Sequence, residues 1–273
     1  MVDGVSRVSL AAARDRLDTL TRSLDAGALR ALSGDLAAVA QLLGGEYALR
    51  RAVAEPGASP DKRAGLLARI LGDRVGEPAR DLLGGVVRER WSKPADLVDV
   101  VGSLAAEATL ALAESEGALD AVEDELFRFA RVVGGDAQLS LALSSPALPL
   151  DRKHGIVRAL LEGKARAETL ALVEQAVADG GGRALDRRLE ALVRLAAERR
   201  QRLVAVVKAA TPLTSEQTDR LKSSLARTYG KDVQLQVELD PSILGGLIVS
   251  LGDEVLDGSV AHRLDLARRT VNS

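Results

Sequence analysis

Ala28 to Leu43 reads ALRALSGDLAAVAQLL, and ninety residues on Ala118 to Val133 reads ALDAVEDELFRFARVV. In the first stretch Leu29, Leu32, Leu36, Val39 and Leu43 are spaced 3, 4, 3, 4. Leu119, Val122, Leu126, Phe129 and Val133 repeat that spacing in the second. Apolar residues at this period line one side of an α-helix, so both stretches are expected to be amphipathic helices.

The agreement runs past the helices. Gly44-Gly45 recurs as Gly134-Gly135, Pro56 as Pro146, Asp61 as Asp151 and Gly65 as Gly155. Ala and Leu matches carry little weight in a chain this rich in both, whereas matched glycines, proline and aspartate do. Seam and punctuation agreeing at one offset point to an internal duplication. Each copy reads as a series of short helices. The glycine pair is expected just past the end of one helix, and a short helix stops before Pro56 or Pro146. Ser59-Pro60-Asp61 opens the next, with proline in its first turn. Further helices are expected near 77–90 and 94–113, and near 166–179 and 184–200, with an early one near 6–23. A shared long helix or a tight corner joins the two series.

The last quarter changes character. Residues 203–209, LVAVVKA, are a β-branched run, and Thr214 to Gln217 is a capping-box pattern leading to Leu221 and Leu225 on one helix face. Residues 232–240, DVQLQVELD, alternate strictly, with Val233, Leu235, Val237 and Leu239 on one side, as in a strand wet on one face. Residues 247–251 give another strand, Asp257-Gly258 a turn, and Val260, Leu264, Ala267 and Val271 a closing helix. The expected order is roughly strand, helix, strand, strand, helix. The fold class is therefore mainly α: two tandem, duplicated helical bundles at 1–100 and 101–200, then a small α/β domain at 201–273.

Composition narrows the function. Aromatic residues are only 2% of the chain, so the core is Ala, Leu and Val, which suits close helix packing better than an aromatic ligand pocket. The formal charge of −2 lacks the basic excess of a nucleic-acid binder. Without cysteine there is no disulfide, thiolate nucleophile or Cys-based metal site. No apolar leader is visible, and no apolar run approaches the roughly 20 residues of a membrane span.

Chemistry-bearing residues are sparse. His154 and His262 lack metal-ligand spacing to other strong ligands. Asp257, Ser259 and His262 lie on one turn and one helix start, without a nucleophile elbow, so Ser259 reads as an N-cap. Gly180-Gly181-Gly182 precedes a helix but follows no strand, and no Lys-Ser/Thr succeeds it, so it is a corner rather than a phosphate loop. Gly245-Gly246 precede a strand instead of following one, unlike a dinucleotide site. Asp253 and Asp257 read as turn residues bonding local backbone. Trp91 either plugs the end of the first series or is an exposed contact residue.

One segment carries a specific resemblance. Leu239 to Val271, LDPSILGGLIVSLGDEVLDGSVAHRLDLARRTV, resembles the C-terminal signature of the delta subunit family of bacterial rotary ATP synthases, which includes the oligomycin-sensitivity-conferring protein of mitochondria. The residues that carry it are Asp240, Ile243, Gly245, Gly246, Leu247 to Leu251, Gly252, Asp253, Val255, Leu256, Asp257, Gly258, Ser259, Arg263 and Leu264. The family pattern continues weakly upstream to about residue 101, and 1–100 is similar to the extra bundle of extended forms in high-GC Gram-positive bacteria.

The resemblance implies a non-catalytic stator subunit with no catalytic, cofactor or metal site. It implies that a bundle binds the N-terminal helices of alpha subunits, by helix-in-groove recognition. It implies that the C-terminal domain engages the C-terminus of the b subunit. The protein would then sit peripherally at the cytoplasmic face of the cell membrane, held only through partner subunits, and bind no nucleic acid. Two other readings stand beside it. One is a free-standing helical-repeat adaptor with a borrowed α/β domain. The other is an enzyme using Asp253, Asp257 and Ser259.

Overall fold

The computed structural model describes residues 4–178, 185–201, 203–229, 233–241, 243, 245–251 and 254–257. The chain divides into two compact units, Met1–Ala197 and Glu198–Ser273.

The first unit is helical. It runs through α1 (Gly4–Thr21), α2 (Ala26–Gly45), α3 (Tyr47–Val53), α4 (Pro60–Leu71), α5 (Glu77–Arg88) and α6 (Pro94–Ser115). It continues with α7 (Leu119–Gly135), α8 (Ala137–Ser144), α9 (Leu150–Leu161), α10 (Ala167–Ala178) and the start of α11 (Leu185–Gln201). The elements repeat at the offset of the sequence: α9 and α10 begin and end ninety residues after α4 and α5. All ten seam residues of α2 and α7 are buried, none more than 8% exposed. The cores correspond as well. Val53, Leu67, Leu82 and Val87 are buried in the first series, as are Leu143, Val157, Leu172 and Val177 in the second.

One tertiary hydrogen bond recurs in both series. The Gly76 N–H donates to Asp35 Oδ2 at 2.8 Å. The Arg166 N–H donates to Glu125 Oε2 at 3.0 Å. Positions 35 and 125, like 76 and 166, are ninety apart. In each copy an acid on the seam helix satisfies a free N–H where the later helix begins.

The junction is a shared helix. α6 begins ninety residues after α1, so it closes the first series and occupies the opening place of the second. Leu97, Val101 and Leu104 join the first apolar cluster, and Ala106, Leu110 and Ala113 the second. Every residue from Leu104 to Ala113 is buried. LAAEATLALA is apolar nearly all round, and such a helix is stable only with cover on all sides. Its one charged residue in that stretch, Glu107, is 3% exposed and pairs with Arg14 of α1, Nε to Oε1 2.7 Å, while Ser103 Oγ donates to the same oxygen at 3.0 Å.

The glycine pairs depart from expectation. Gly44-Gly45 and Gly134-Gly135 lie inside the last turns of α2 and α7 rather than past them, and none has positive φ. A single residue, Glu46 or Asp136, separates each helix from the next, so no left-handed cap intervenes. Glu46 N–H instead donates to Leu42 O at 2.9 Å in continued helical fashion. The Arg50 Nη1 then donates to the freed carbonyl of Gly44 at 3.1 Å. Elsewhere the punctuation behaves as expected: Ser59 Oγ accepts from Lys62 N at 3.4 Å, with Pro60 in the first turn.

The second unit holds β1 (Leu203–Ala209), α12 (Ser215–Tyr229), β2 (Val233–Leu239), β3 (Leu247–Leu251) and β4 (Glu254–Asp257). The sheet order is β2-β1-β3-β4. β1 and β2 pair in parallel, Leu203 opposite Val233, and α12 supplies the crossover that parallel strands need. β1–β3 and β3–β4 are antiparallel. The capping box closes reciprocally: Gln217 N–H donates to Thr214 Oγ1 at 3.2 Å, and Thr214 N–H to Gln217 Oε1 at 2.9 Å. Leu225 and partly buried Leu221 of α12 pack on Ala205, Val207, Val233 and Leu235.

Two details of this unit differ from the sequence reading. Sequence order gave three strands, but residues 254–257 pair as a fourth, too short to display alternation. Along β2, Val233 and Leu235 are buried whereas Val237 and Leu239 are exposed; β2 is a sheet edge, and the β1 residues opposite the latter two, Val207 and Ala209, are buried. The expected closing helix at 260–271 lies outside the described residues.

Candidate functional site

The C-terminal signature is placed in part. Asp240 follows β2, its N–H donating to Ala209 O at 2.9 Å and its carbonyl accepting from Ile243 N at 3.1 Å, so it stitches the end of β2 to β1. Gly245 and Gly246 have φ of 139° and 86°, conformations that side-chain-bearing residues rarely adopt. They lead into β3, whose Ile248 pairs with Asp257 of β4. These are structural duties. Gly252, Asp253, Gly258, Ser259, His262, Arg263 and Leu264 lie outside the described residues, as does Gly180-Gly181-Gly182.

In the helical unit the other singled-out residues have local roles. Trp91 is the plug: it is 6% exposed, belongs to the first apolar cluster, and donates Nε1–H to Val86 O at 3.0 Å. The His154 Nε2 lies 3.3 Å from Glu174 O. Among the described residues no group of three His, Asp or Glu side chains is placed to hold a metal. No helix among them is long and apolar enough to cross a membrane.

What the helical surface offers is relief and charge. An open hollow of about 570 Å³ lies between α3 and α4, with Ala52, Ala58, Gly65 and Leu66 in its lining and Lys62 and Arg69 on it. A second, of about 480 Å³, adjoins it through Ala52 and Ala58 and adds Tyr47, Ala48, Arg51 and Glu55. Small side chains let a partner backbone approach closely. Arg51, Lys62 and Arg69 are exposed and have no ion-pair partner among the described residues. The Arg50 guanidinium stacks over the Tyr47 ring, Cζ 5.3 Å from the centroid.

Arg63 also lines the larger hollow, yet is only 4% exposed. Its two Nη groups donate to Arg88 O and Glu89 O, both at 3.0 Å, and so satisfy carbonyls at the end of α5. Burial pushes its pKa down, the nearby Arg90 charge pushes the same way, and Glu89 opposes them. The guanidinium stays protonated at any ordinary pH. Its Nε is buried without a hydrogen-bond partner. In the second series, Arg158 has its pKa raised by its hydrogen bond to Glu174, 2.6 Å away, and by the Glu174 charge.

Charges also tie the two series together. Glu116, between α6 and α7, accepts from Arg30 of α2 at 2.8 Å and from Arg166 at 3.1 Å. Arg166 pairs in addition with Glu168, 4% exposed, at 3.1 Å. This cluster links α2 of the first series to the α9–α10 connection of the second.

Tandem helical bundles followed by a small mixed sheet define a helical-repeat protein with an α/β appendage. Residues 104–271 match the family model "ATP synthase delta (OSCP) subunit". ATP synthase subunit delta of Parafrankia sp. is 51% identical, with 98% of this chain and 99% of the relative aligned. The same-named subunit of Streptomyces griseus is 46% identical over 98% of each chain, and that of Frankia alni 46% over 99% of each. Among solved structures, a chain of the Toxoplasma gondii mitochondrial ATP synthase hexamer covers 62% of this chain and 95% of its own, at 19% identity and a TM-score of 0.27, a likeness too slight to argue from. The chain belongs to the ATP synthase delta (OSCP) subunit family, whose members are non-catalytic components of ATP synthase. Coverage of 98–99% carries these relatives through the first hundred residues too, so they share the long form.

Proposed function

We propose that the chain is a stator subunit of a proton-translocating ATP synthase, joining the alpha/beta catalytic head to the b-subunit stalk and resisting the torque of the rotor. The observation that carries this reading is the full-length identity of 51% to an ATP synthase subunit delta, with the family match reaching through the C-terminal signature. In this reading the helical bundles bind the N-terminal helices of alpha subunits, and the α/β domain engages the C-terminus of b. The division into 1–100, 101–200 and 201–273 is then functional: an extra bundle, a family-type bundle and a stalk-binding domain. The protein works at the cytoplasmic face of the cell membrane and reaches the membrane only through its partners.

A stator needs affinity and stiffness rather than turnover. The helical unit supports both requirements. One buried helix, α6, feeds both cores, and the Arg30–Glu116–Arg166–Glu168 cluster ties the series together. Apolar surface for partners is available on the second series, where Phe127 and Val132 of α7, Leu141 of α8 and Leu160 of α9 are exposed.

Purification of ATP synthase through a tag on this chain tests the proposal. Alpha, beta and b subunits should appear in near-stoichiometric amounts, and calorimetry should show the purified chain binding an alpha N-terminal peptide. Recovery of the chain without alpha or b, and no heat with the peptide, would favour a free-standing helical-repeat adaptor.

A further inference from the structure

The two helical cores have α6 in common. Leu97, Val101 and Leu104 feed the first and Ala106, Leu110 and Ala113 the second, and no residue belongs to both clusters. A helix buried in two cores resists bending at their junction. Rotation of one core about that helix relative to the other is opposed best by contacts that lie off its axis.

Such contacts gather at the C-terminal end of α6. Helices α2 and α10, one from each series, both pack on α6. Leu29 of α2 stands apart from the first core and packs with Ala111 and Leu112 of α6. The next residue, Arg30, donates Nη2–H to Glu116 Oε1 at 2.8 Å and lies 3.9 Å from Glu168 Oε1 of α10. Glu116 Oε2 accepts from Arg166 Nη2 at 3.1 Å, and Arg166 Nε donates to Glu168 Oε2 at 3.1 Å. Two guanidinium groups and two carboxylates therefore alternate in a closed ring, Arg30–Glu116–Arg166–Glu168. The ring spans α2, the α6–α7 corner and the start of α10, and its Glu168 member is buried.

The ring has no equivalent within either copy. At the ninety-residue offset Glu116, Arg166 and Glu168 correspond to Ala26, Gly76 and Pro78, and Arg30 to Asp120. A contact that each copy needs in order to fold is expected to recur, as the hydrogen bonds of Asp35 and Glu125 do. This one belongs to the junction alone.

We propose that the Arg30–Glu116–Arg166–Glu168 ring is a pin that fixes the rotation of the second helical series about α6 relative to the first, and that salt or loss of its carboxylates releases the rotation without unfolding either core. An isolated exposed ion pair contributes little, but four charges in one ring support one another, and the buried member is screened less than the rest. Arg30 and Arg166 are the ring's open side, with side chains 58% and 39% exposed, and admit salt there. In the stator reading, a pinned pair of bundles passes load without twisting. The pin itself does not depend on that reading and is tested on the purified chain alone.

The chain has no cysteine, so Arg69→Cys and Ala159→Cys, at exposed equivalent positions of α4 and α9, place one spin label on each series. Double electron–electron resonance at about 0.01 M salt should give a single narrow distribution of separations. Glu116→Gln/Glu168→Gln, which keeps the shapes and removes both negative charges, should broaden it, and Arg30→Gln should broaden it less. The chain with its ring intact should broaden in the same way as salt rises to about 1 M, where the Debye length falls from about 30 Å to about 3 Å. Arg80→Gln, which breaks the exposed Asp73–Arg80 pair within the first series, should leave the low-salt distribution narrow. Circular dichroism should show the same helical content throughout.

A distribution that stays narrow in Glu116→Gln/Glu168→Gln and at about 1 M salt would overturn the proposal, because packing on α6 would then hold the series by itself. So would a broad distribution at low salt with the ring intact, or equal broadening by Arg80→Gln. Should the double variant lose helical content, the salt series on the chain with its ring intact decides alone.

Discussion

The two helical series share a framework and differ in finish. Their helices recur at one offset, their seam residues are buried alike, and Asp35 and Glu125 make the same tertiary hydrogen bond. At the surface they part. Arg51 and Arg69 in the first become Leu141 and Ala159 in the second. Burial explains the split, because a close-packed core punishes any change of volume whereas an exposed position tolerates most residues. The framework records what both copies must do to fold. The finish is free to differ between them.

The comparison breaks most readily in the core. Leu36→Ala and Leu126→Ala each remove a side chain with 0% exposure, and each should cost about 2–5 kcal/mol. Because α6 belongs to both clusters, urea unfolding followed by circular dichroism should show the two substitutions shifting one common helical transition. Two helical transitions, with Leu36→Ala moving only one, would mean that the copies fold independently.

A smaller effect separates the copies. Glu107 pairs with Arg14 across α1 and α6, whereas the equivalent positions of the second series are Ala197 and Leu104. Glu107→Gln should cost about 2 kcal/mol, less than a fully buried pair because Arg14 is 35% exposed. A double-mutant cycle with Arg14→Ala isolates the coupling. Below that come the matched hydrogen bonds. Asp35→Ala should cost about 1 kcal/mol, and Glu125→Ala somewhat more, because Glu125 Oε2 also accepts from Thr169 Oγ1 at 2.5 Å. Equal losses would show that the extra bond contributes little. Thr214→Ala serves as the control outside the comparison: it removes a capping-box acceptor and should cost about 1 kcal/mol in the C-terminal unit, leaving the helical transition unmoved. Smallest is Arg51→Leu/Arg69→Ala, within about 0.5 kcal/mol of neutral in stability because both side chains are exposed.

Much of the framework was legible because periodicity and punctuation are local signals. The 3, 4, 3, 4 seam marked the buried face of α2 and α7, Ser59-Pro60 marked the start of α4, and Thr214 to Gln217 marked the capping box. Gly44 and Gly134 misled because a glycine in a last helical turn reads the same as one in a left-handed cap. β4 escaped because four residues cannot display alternation. The buried duties of Arg63 and Glu107 depend on which distant carbonyl or guanidinium arrives beside them, and no local pattern encodes that. The surface difference between the copies was nearer to hand. The change of Arg51 and Arg69 to Leu141 and Ala159 stands in the same alignment that revealed the repeat, but that Arg51 and Arg69 border adjoining hollows became visible only in the structure.

The stator reading is tested most directly by adding the purified chain back to membrane vesicles stripped of it. ATP hydrolysis by the head should persist without the chain, while ATP-driven proton pumping should be lost and then restored when the full chain returns. Pumping that survives removal of the chain, or that fails to return with it although the chain binds, would contradict the assignment of this protein as the link between head and stalk.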